Sequence, residues 1–192
     1  MGVPKKKQRY TYADYCAWND RERWELMDGV PHAIFPAPSP NHQRVSSRLY
    51  RPLANFVDDK PHYEVFYAPL DVRLNALGDD DDDVFQPDLV IICDQTKIDD
   101  KGCNGAPDMV IEILSSSTAR RDKLLKFNKY QNAGVLEYWI VDIDSRTVQT
   151  HILENGRYFT TSYGEADKIP VHVLEGCVIN LSDVFIDRRA YR

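Results

Sequence analysis

The chain has 192 residues, of which 43% are apolar and 28% charged, and its formal net charge is −6. This composition is ordinary for a globular protein, and it excludes disorder, collagen and coiled coil as the main structure. No stretch approaches 18 consecutive apolar residues, so we expect no transmembrane helix. The basic residues near the N-terminus have no apolar stretch after them, unlike those of a signal peptide. The negative charge argues against non-specific duplex binding through the overall field, although a local basic groove is compatible with it.

The cysteines and the length bound the organisation of the chain. The four cysteines are too widely spaced for a CxxC pair, which disfavours a structural zinc site and a disulfide framework. Reduced thiols are typical of a cytoplasmic protein, and we predict that location. The length is a little over one domain and no internal repeat is present, so we predict a single domain over residues 1–192.

The predicted elements follow from apolar periodicity and from turn residues. Asp28-Gly29 is the strongest short hairpin signal, Pro52 predicts a kink in a long helix, and Gly134 is a good residue to end another helix. The aspartates of residues 79–83 predict a charged surface loop. The predicted elements are a helix at 12–19, hairpin strands at 24–27 and 30–35, a helix at 41–58, strands at 63–74, 84–93 and 109–114, a helix at 118–133, a strand at 138–142, and an antiparallel meander at 148–153, 157–162 and 171–179.

The order strand, helix, strand over residues 109–142 determines the predicted architecture. A βαβ unit makes its two strands parallel with a right-handed crossover. The two preceding strands are joined by loops too short for helices, so they are expected to be antiparallel. We therefore predict an α/β layer architecture, with a mixed sheet, flanking helices and an additional antiparallel β meander.

Two acidic residues stand beside or within apolar strands. Glu112 interrupts the apolar strand at 109–114, where an unpaired carboxylate would cost several kcal/mol. A structural salt bridge and a role as metal ligand or general base both explain it. Asp88 opens the apolar run 89–93 and is also a common turn residue after proline. Both carboxylates are expected near the same edge of adjacent strands, where they suit Mg²⁺ or Mn²⁺.

The helix after Glu112 begins with basic residues. Lys123 and Lys126 are three residues apart and lie near one another on the helix surface. A lysine beside a metal-bound water can stabilise the charge that develops at a phosphate. Arg120 and Arg121, at the helix start, suit phosphate contacts. For each of these four residues the alternative is a solvated basic surface.

The acidic pair resembles the signature of a nuclease superfamily. Pro87-Asp88 on one strand and Glu112 on the next resemble the PD-(D/E)XK motif of the restriction-endonuclease-like nucleases. The fuller pattern resembles the Uma-two (Uma2) family, bacterial proteins described as restriction endonucleases of that fold. The matching stretches, in the family's order over roughly residues 10 to 160, are 24–29, 38–43, 86–89, 112–118 and 133–142.

The resemblance implies a restriction-endonuclease-like fold with a metal site at the edge of its sheet. It implies that Asp88 and Glu112 are catalytic ligands of Mg²⁺ or Mn²⁺. The superfamily's lysine stands two residues after the glutamate, where this chain has Leu114. Lys126 is the position that matches in this family, and Lys123 is the second choice.

Two further residues fall in matching motifs. Glu25 is expected to complete the acidic cluster as a catalytic residue, with a hairpin salt bridge as the alternative. His42, at the start of a helix, is expected to position phosphate, with a helix-capping role as the alternative.

The resulting prediction is a metal-dependent endonuclease that hydrolyses DNA phosphodiester bonds. Nucleases of this fold often act as dimers, so we predict a homodimer. The alternative is a catalytically inactive nuclease-fold module that binds nucleic acid or protein, which the negative charge and Leu114 favour. A third possibility is a structural role in a homo-oligomer, in which the meander with Tyr158, Phe159 and Tyr163 supplies the pairing surface.

Overall fold

The computed structural model describes residues 9–19, 22–34, 37–114 and 119–186, and for residues 119–124 it describes the backbone alone. The helices are α1 (Tyr12–Cys16), α2 (Pro40–Val57), α3 (Ala119–Ala133) and α4 (Leu181–Val184), with 3₁₀ turns at Gly78–Asp80 and Gln95–Lys97. The strands are β1 (Trp24–Met27), β2 (Val30–Ala33), β3 (Glu64–Tyr67), β4 (Val72–Arg73), β5 (Val84–Phe85), β6 (Leu89–Ile92), β7 (Ile98–Asp99), β8 (Gly102–Asn104), β9 (Met109–Leu114), β10 (Glu137–Asp142), β11 (Thr147–Glu154), β12 (Arg157–Gly164), β13 (Lys168–Pro170) and β14 (Val178–Asn180).

The main sheet has six strands in the order β12-β11-β10-β9-β6-β3. Strands β9 and β10 are parallel and are joined by α3. The other four neighbouring pairs are antiparallel. The predicted mixed sheet is therefore confirmed, because a crossover helix separates only the one pair of strands that runs parallel.

A second sheet has the order β2-β1-β5-β4-β8-β7, and β13 pairs with β14 in a small third sheet. The predicted strand at 84–93 divides between the two larger sheets, since β5 belongs to the second sheet and β6 to the main one. Pro87 lies at this break, where it has no amide hydrogen to give to a ladder. Residues 86–88 therefore carry the chain from one sheet to the other.

A small apolar cluster contains Tyr10, Tyr12, Leu26 and Val84, and the two larger core clusters lie on opposite faces of the main sheet. One cluster includes Leu49 and Leu53 of α2, and the other includes Phe85 of β5 and Tyr130 of α3. Strand β9 contributes alternate residues to the two clusters, as expected of a strand buried on both faces. Glu112 stands between Val110 and Leu114 in that alternation, so its side chain faces α3 and the second sheet.

The prediction that residues 79–83 form a charged surface loop is wrong for two of the five aspartates. Asp81 is 0% exposed and Asp83 is 5% exposed. The Asp81 carboxylate accepts hydrogen bonds from the backbone amides of Asn75 at 2.8 Å and of Asp83 at 3.0 Å. Short acidic side chains bond readily to nearby backbone groups, and here they organise the turn from inside.

Several boundaries differ from the predicted ones. Ser39 caps α2 by accepting the His42 amide at 3.2 Å, and α2 continues through Pro52. The predicted strand at 63–74 is divided into β3 and β4 around a cis peptide bond before Pro69. The predicted strand at 171–179 is wrong, because turns occupy most of it and only its end enters β14.

The cysteines and the helices bear on two expectations from the sequence. The four cysteines, all in the described part of the chain, are free thiols, as their spacing predicts. Within the described ranges, none of the helices has the length and apolar character needed to cross a membrane.

Candidate active site at the junction of the two sheets

The predicted site residues meet where the two larger sheets and α3 come together. Glu25 lies on β1 of the second sheet and Glu112 on β9 of the main sheet. Asp88 ends the segment that crosses between these sheets, and Lys126 lies on α3. Four separate parts of the chain therefore contribute one charged side chain each.

Lys126 is held between two carboxylates. Its Nζ lies 2.9 Å from Glu25 Oε1 and 2.9 Å from Glu112 Oε1, and its side chain is only 12% exposed. Glu25 Oε1 also accepts the backbone amide of Gln86 at 2.9 Å. The sequence suggested a salt bridge for Glu112 and, separately, a helix lysine close to the carboxylates. The contact of Lys126 with Glu112 meets both descriptions.

Lys126 approaches Glu112 from a helix, whereas the motif that this chain resembles has its lysine on the strand, at the position of Leu114. Leu114 follows Glu112 by two residues on the same face of β9 and packs against the apolar cluster there. Helix α3 covers the same face, so its lysine reaches the carboxylate that a lysine at position 114 would approach from the strand.

Tyr130 is a site residue that the sequence reading missed. Its hydroxyl donates to Glu112 Oε1 at 2.9 Å, the oxygen that Lys126 also contacts. Tyr130 follows Lys126 by four residues, so the two share one face of α3. The four-residue spacing could have indicated that Tyr130 lies beside Lys126. A tyrosine in an apolar helix pattern is, however, usually interpreted as a core residue.

Burial and charge shift the titration of this cluster. Burial raises the pKa of Glu112 to about 7; the Lys126 ammonium opposes this rise, while Asp88 and Glu25 add to it. Burial also disfavours the ammonium of Lys126, but its two carboxylate partners outweigh burial and raise its pKa. The pKa of the Tyr130 hydroxyl is raised well above its usual value, chiefly by burial, so this group remains a donor.

Asp88 accepts a backbone hydrogen bond from the part of β9 that extends past Leu89, the first residue of β6. Leu89 lies opposite Ile111, and past that pair β9 has no β6 residue beside it. There Asp88 Oδ2 accepts the Ile113 amide at 2.8 Å. The buried His42 places its Nε2 3.2 Å from Asp88 Oδ2 and 3.1 Å from the Ile113 carbonyl oxygen.

His42 thus contacts Asp88 and the backbone of β9. Burial opposes protonation of its imidazole, but the Asp88 carboxylate, the Ile113 carbonyl and Glu112 together outweigh burial and raise the His42 pKa. Its position in the first turn of α2 is the one expected from the sequence. The contact with Asp88 joins α2 to the same site from the opposite side of the sheet.

The donor set fits a divalent ion bound by two carboxylates. Asp88 and Glu112 are each bonded through one oxygen, and their other oxygens, Oδ1 and Oε2, have no hydrogen-bond partner among the described residues. Three acidic side chains and one ammonium give the site a formal excess of negative charge. No cluster of three or more His, Cys, Asp or Glu side chains suited to one ion occurs in the described ranges. Magnesium commonly needs only one or two carboxylates, with water and phosphate oxygens completing its shell.

The remaining predicted contacts belong to the start of α3. The side chains of Lys123, Arg120 and Arg121 lie outside the described residues. Their assignment as phosphate contacts stays a prediction from the sequence.

Comparison with known sequences gives a consistent family assignment. A family model named Uma2, described as "Putative restriction endonuclease", matches residues 10–182. Two similar proteins come from Synechocystis sp. One, "Uncharacterized protein sll1609", is 33% identical over 137 residues, which cover 69% of this chain and 74% of the relative. The other, "Uncharacterized protein slr1290", is 25% identical over 161 residues, or 81% of each chain.

A solved structure shares the architecture. The crystal structure of "a putative nuclease belonging to DUF820 from Anabaena variabilis ATCC 29413" superposes with a TM-score of 0.73 at 18% sequence identity. The match covers 91% of this chain and 97% of that one. The likeness confirms the predicted fold class, a mixed α+β restriction-endonuclease-like core.

Proposed function

Because this chain belongs to the Uma2 family, described as "Putative restriction endonuclease", we propose that it is a metal-dependent endonuclease that hydrolyses DNA phosphodiester bonds. The observation that carries the proposal is the buried contact of Lys126 with Glu25 and Glu112, on a helix and two strands that meet beside Asp88. Carboxylates can hold a metal ion and an ammonium can stabilise the charge that develops on a phosphate, so a partly buried site that combines them suits phosphate hydrolysis.

Asp88 and Glu112 are the residues that would hold Mg²⁺ or Mn²⁺ through Oδ1 and Oε2. A divalent ion, when bound, acidifies a water and withdraws charge from the phosphate. The Ile113 amide fixes Asp88 on one side. The protein's part is therefore to hold the two carboxylates in place where β9 extends past its pairing with β6.

Lys126 is proposed to place its positive charge at the scissile phosphate. An ammonium there stabilises the negative charge that grows on the phosphate during attack by water. Glu25 is proposed to act through Lys126, because its Oε1 holds the ammonium at the same distance as Glu112 does.

His42 is proposed to position Asp88. Its Nε2 is used by two protein acceptors, Asp88 and the Ile113 carbonyl. The geometry thus supports positioning over the phosphate contact expected from the sequence. Phosphate contacts remain proposed for Lys123, Arg120 and Arg121, and DNA remains the proposed partner, bound by a homodimer.

A non-catalytic module that binds nucleic acid or protein is the second candidate. One observation favours it: Lys126 is paired on both sides by carboxylates, as in a purely structural ion pair. Salt-dependent DNA binding without turnover would support this candidate.

The proposed function is tested by plasmid cleavage with Mg²⁺ or Mn²⁺, in the wild type and in Asp88→Asn and Glu112→Gln. Each substitution removes charge and keeps shape, so we expect cleavage to fall about 100-fold or more while the fold is retained. EDTA should abolish cleavage. Glu175→Gln changes an exposed carboxylate and should cleave like the wild type. Metal-dependent cleavage that survives in both site variants would overturn the assignment, and a wild type that binds DNA without cutting it would favour the second candidate.

A further inference from the structure

Tyr130 has features that the proposed roles of the four charged residues leave unexplained. It is 0% exposed, yet its hydroxyl is directed at the one carboxylate of β9 rather than at the backbone. Tyr158, a neighbouring aromatic residue, instead donates its hydroxyl to the Val135 carbonyl at 2.8 Å. A buried hydroxyl needs a partner, and of these two tyrosines Tyr130 is the one whose partner is a candidate metal ligand.

The ring of Tyr130 is fixed by packing. Its centroid lies 5.5 Å from that of Phe85 on β5 and 5.0 Å from that of Tyr138 on β10. Contacts with both sheets leave the hydroxyl little freedom, since side chains in a close-packed core sit in rotamer minima and interdigitate. Lys126, by comparison, has a long flexible stem and divides its ammonium between two carboxylates.

Two donors to one oxygen determine how the Glu112 carboxylate is turned. Lys126 and Tyr130 both contact Oε1, so Oε2 is the oxygen left for another ligand. We infer that Tyr130 is a positioning residue, whose hydroxyl holds the Glu112 carboxylate in the orientation that presents Oε2 to a divalent metal ion. This inference rests on the proposed function, because it concerns the same site. Partners of this kind behind a metal ligand typically contribute about 10- to 100-fold to metal affinity or activity.

The test compares Tyr130→Phe with Tyr158→Phe by Mn²⁺ titration calorimetry and plasmid cleavage. Each variant loses one partly or fully buried hydroxyl hydrogen bond and keeps its ring. We expect Tyr130→Phe to weaken Mn²⁺ binding about 10- to 100-fold and to lower kcat, with the KM for DNA unchanged because Tyr130 has no exposed surface. Tyr158→Phe should bind Mn²⁺ like the wild type. If the wild type binds Mn²⁺ only together with DNA, the Mn²⁺ concentration for half-maximal cleavage replaces the calorimetric Kd.

The outcomes separate this inference from the proposed function. A wild type that binds Mn²⁺ and cleaves, beside a Tyr130→Phe variant with unchanged Mn²⁺ dependence, overturns the role of Tyr130 alone. Equal weakening in Tyr130→Phe and Tyr158→Phe also overturns it, because the effect would then be general to the aromatic cluster. A wild type that neither binds Mn²⁺ nor cleaves overturns the proposed function and this inference together.

Discussion

At the scale of single residues, the buried charges of Glu25, Lys126 and Glu112 depend on one another. Removing one member of a buried ion pair leaves the others without compensation, and this typically costs about 3 to 5 kcal/mol. We therefore expect Lys126→Met to lower the free energy of unfolding by about 3 kcal/mol, measured by urea denaturation. Replacing all three together by Gln, Met and Gln should restore most of the loss, because no unpaired charge is then left buried.

An exposed ion pair provides the comparison. Lys101 lies 2.7 Å from Asp79, and the side chains of both are about half exposed. Lys101→Met should cost far less stability than Lys126→Met, since water and salt screen exposed pairs. If Lys101→Met and Lys126→Met were equally destabilised, or if the triple variant were no more stable than Lys126→Met, the interdependence of the buried charges would be refuted.

The same residues show how far a sequence determines a site. Glu112 was identifiable because an acidic residue in an apolar strand needs a partner. The helix pattern left Lys123 and Lys126 open, and the resemblance to the Uma2 family favoured Lys126. The contact of His42 with Asp88 and that of Tyr130 with Glu112 were not predicted in these terms. Both depend on how far β9 extends past β6 and on the rotation of α3, which are properties of packing rather than of local pattern.

At the scale of elements, two hairpin turns share one geometry in different surroundings. Gly29 and Gly156 follow Asp28 and Asn155, and all four residues have positive φ. An added Cβ at Gly156 would meet nothing within 4 Å, whereas one at Gly29 would lie 2.9 Å from the backbone nitrogen of Tyr10. The N-terminal segment thus passes directly over the first turn, where its Tyr10 amide donates to the Gly29 carbonyl at 2.8 Å.

This difference predicts unequal costs for the same substitution. Gly156→Ala should destabilise by about 1 kcal/mol, the cost of a left-handed conformation for a residue with a Cβ. Gly29→Ala should cost about 1 to 3 kcal/mol more, because the backbone above the turn must move. Chemical denaturation of the two variants measures both, and equal losses would show that the N-terminal segment is not packed on the turn in solution.

The elements differ in how well the sequence predicted them. Strand β9 was predicted with the bounds found, and α3 ends at the expected glycine, because their apolar runs and end signals are strong. The stretch 84–93 was read as one strand, although its two parts belong to different sheets. An apolar run indicates that a strand is buried on both faces, but it does not indicate to which sheet the strand belongs. The break at Pro87 is the feature that brings Glu25, Asp88 and Glu112 into one site.

At the scale of the whole molecule, one buried histidine links stability to pH. His151 is buried, with its Nδ1 2.7 Å from Thr160 Oγ1, and burial lowers its pKa to about 4. The unfolded chain, in which the pKa of histidine is about 6.5, binds the proton more readily. This contribution to stability is present above pH about 6.5 and decreases as the pH falls to about 4.

We therefore expect His151→Gln to flatten the pH dependence of the unfolding free energy between pH 6.5 and 4. Across this pH window, His151 contributes at most about 3 kcal/mol to the change in the unfolding free energy. His62→Gln, at an exposed position, should retain the wild-type slope. Unfolding in urea at several pH values measures all three proteins, and an unchanged slope in His151→Gln would assign the acid sensitivity to other groups.

The outer strand β12 is a candidate surface for the predicted homodimer. Strand β12 is an outer strand of the main sheet, and its eight residues have β11 on one side only. A long edge strand of low charge presents unpaired backbone groups to a second chain. Phe159 lies on it and is 58% exposed.

A charge on that edge should oppose such pairing, since Lys is a residue that protects free edges. We expect Phe159→Lys to shift the sedimentation-velocity mass from dimer toward monomer. Leu77→Lys is the matched control, because Leu77 is also 58% exposed but lies outside the strands. A dimer that persists in Phe159→Lys would place the contact elsewhere, whereas a wild type that is monomeric at all concentrations would contradict the homodimer itself. In the first case a dimer would still relate the two candidate sites by symmetry, and in the second each chain would have to carry out the proposed cleavage alone.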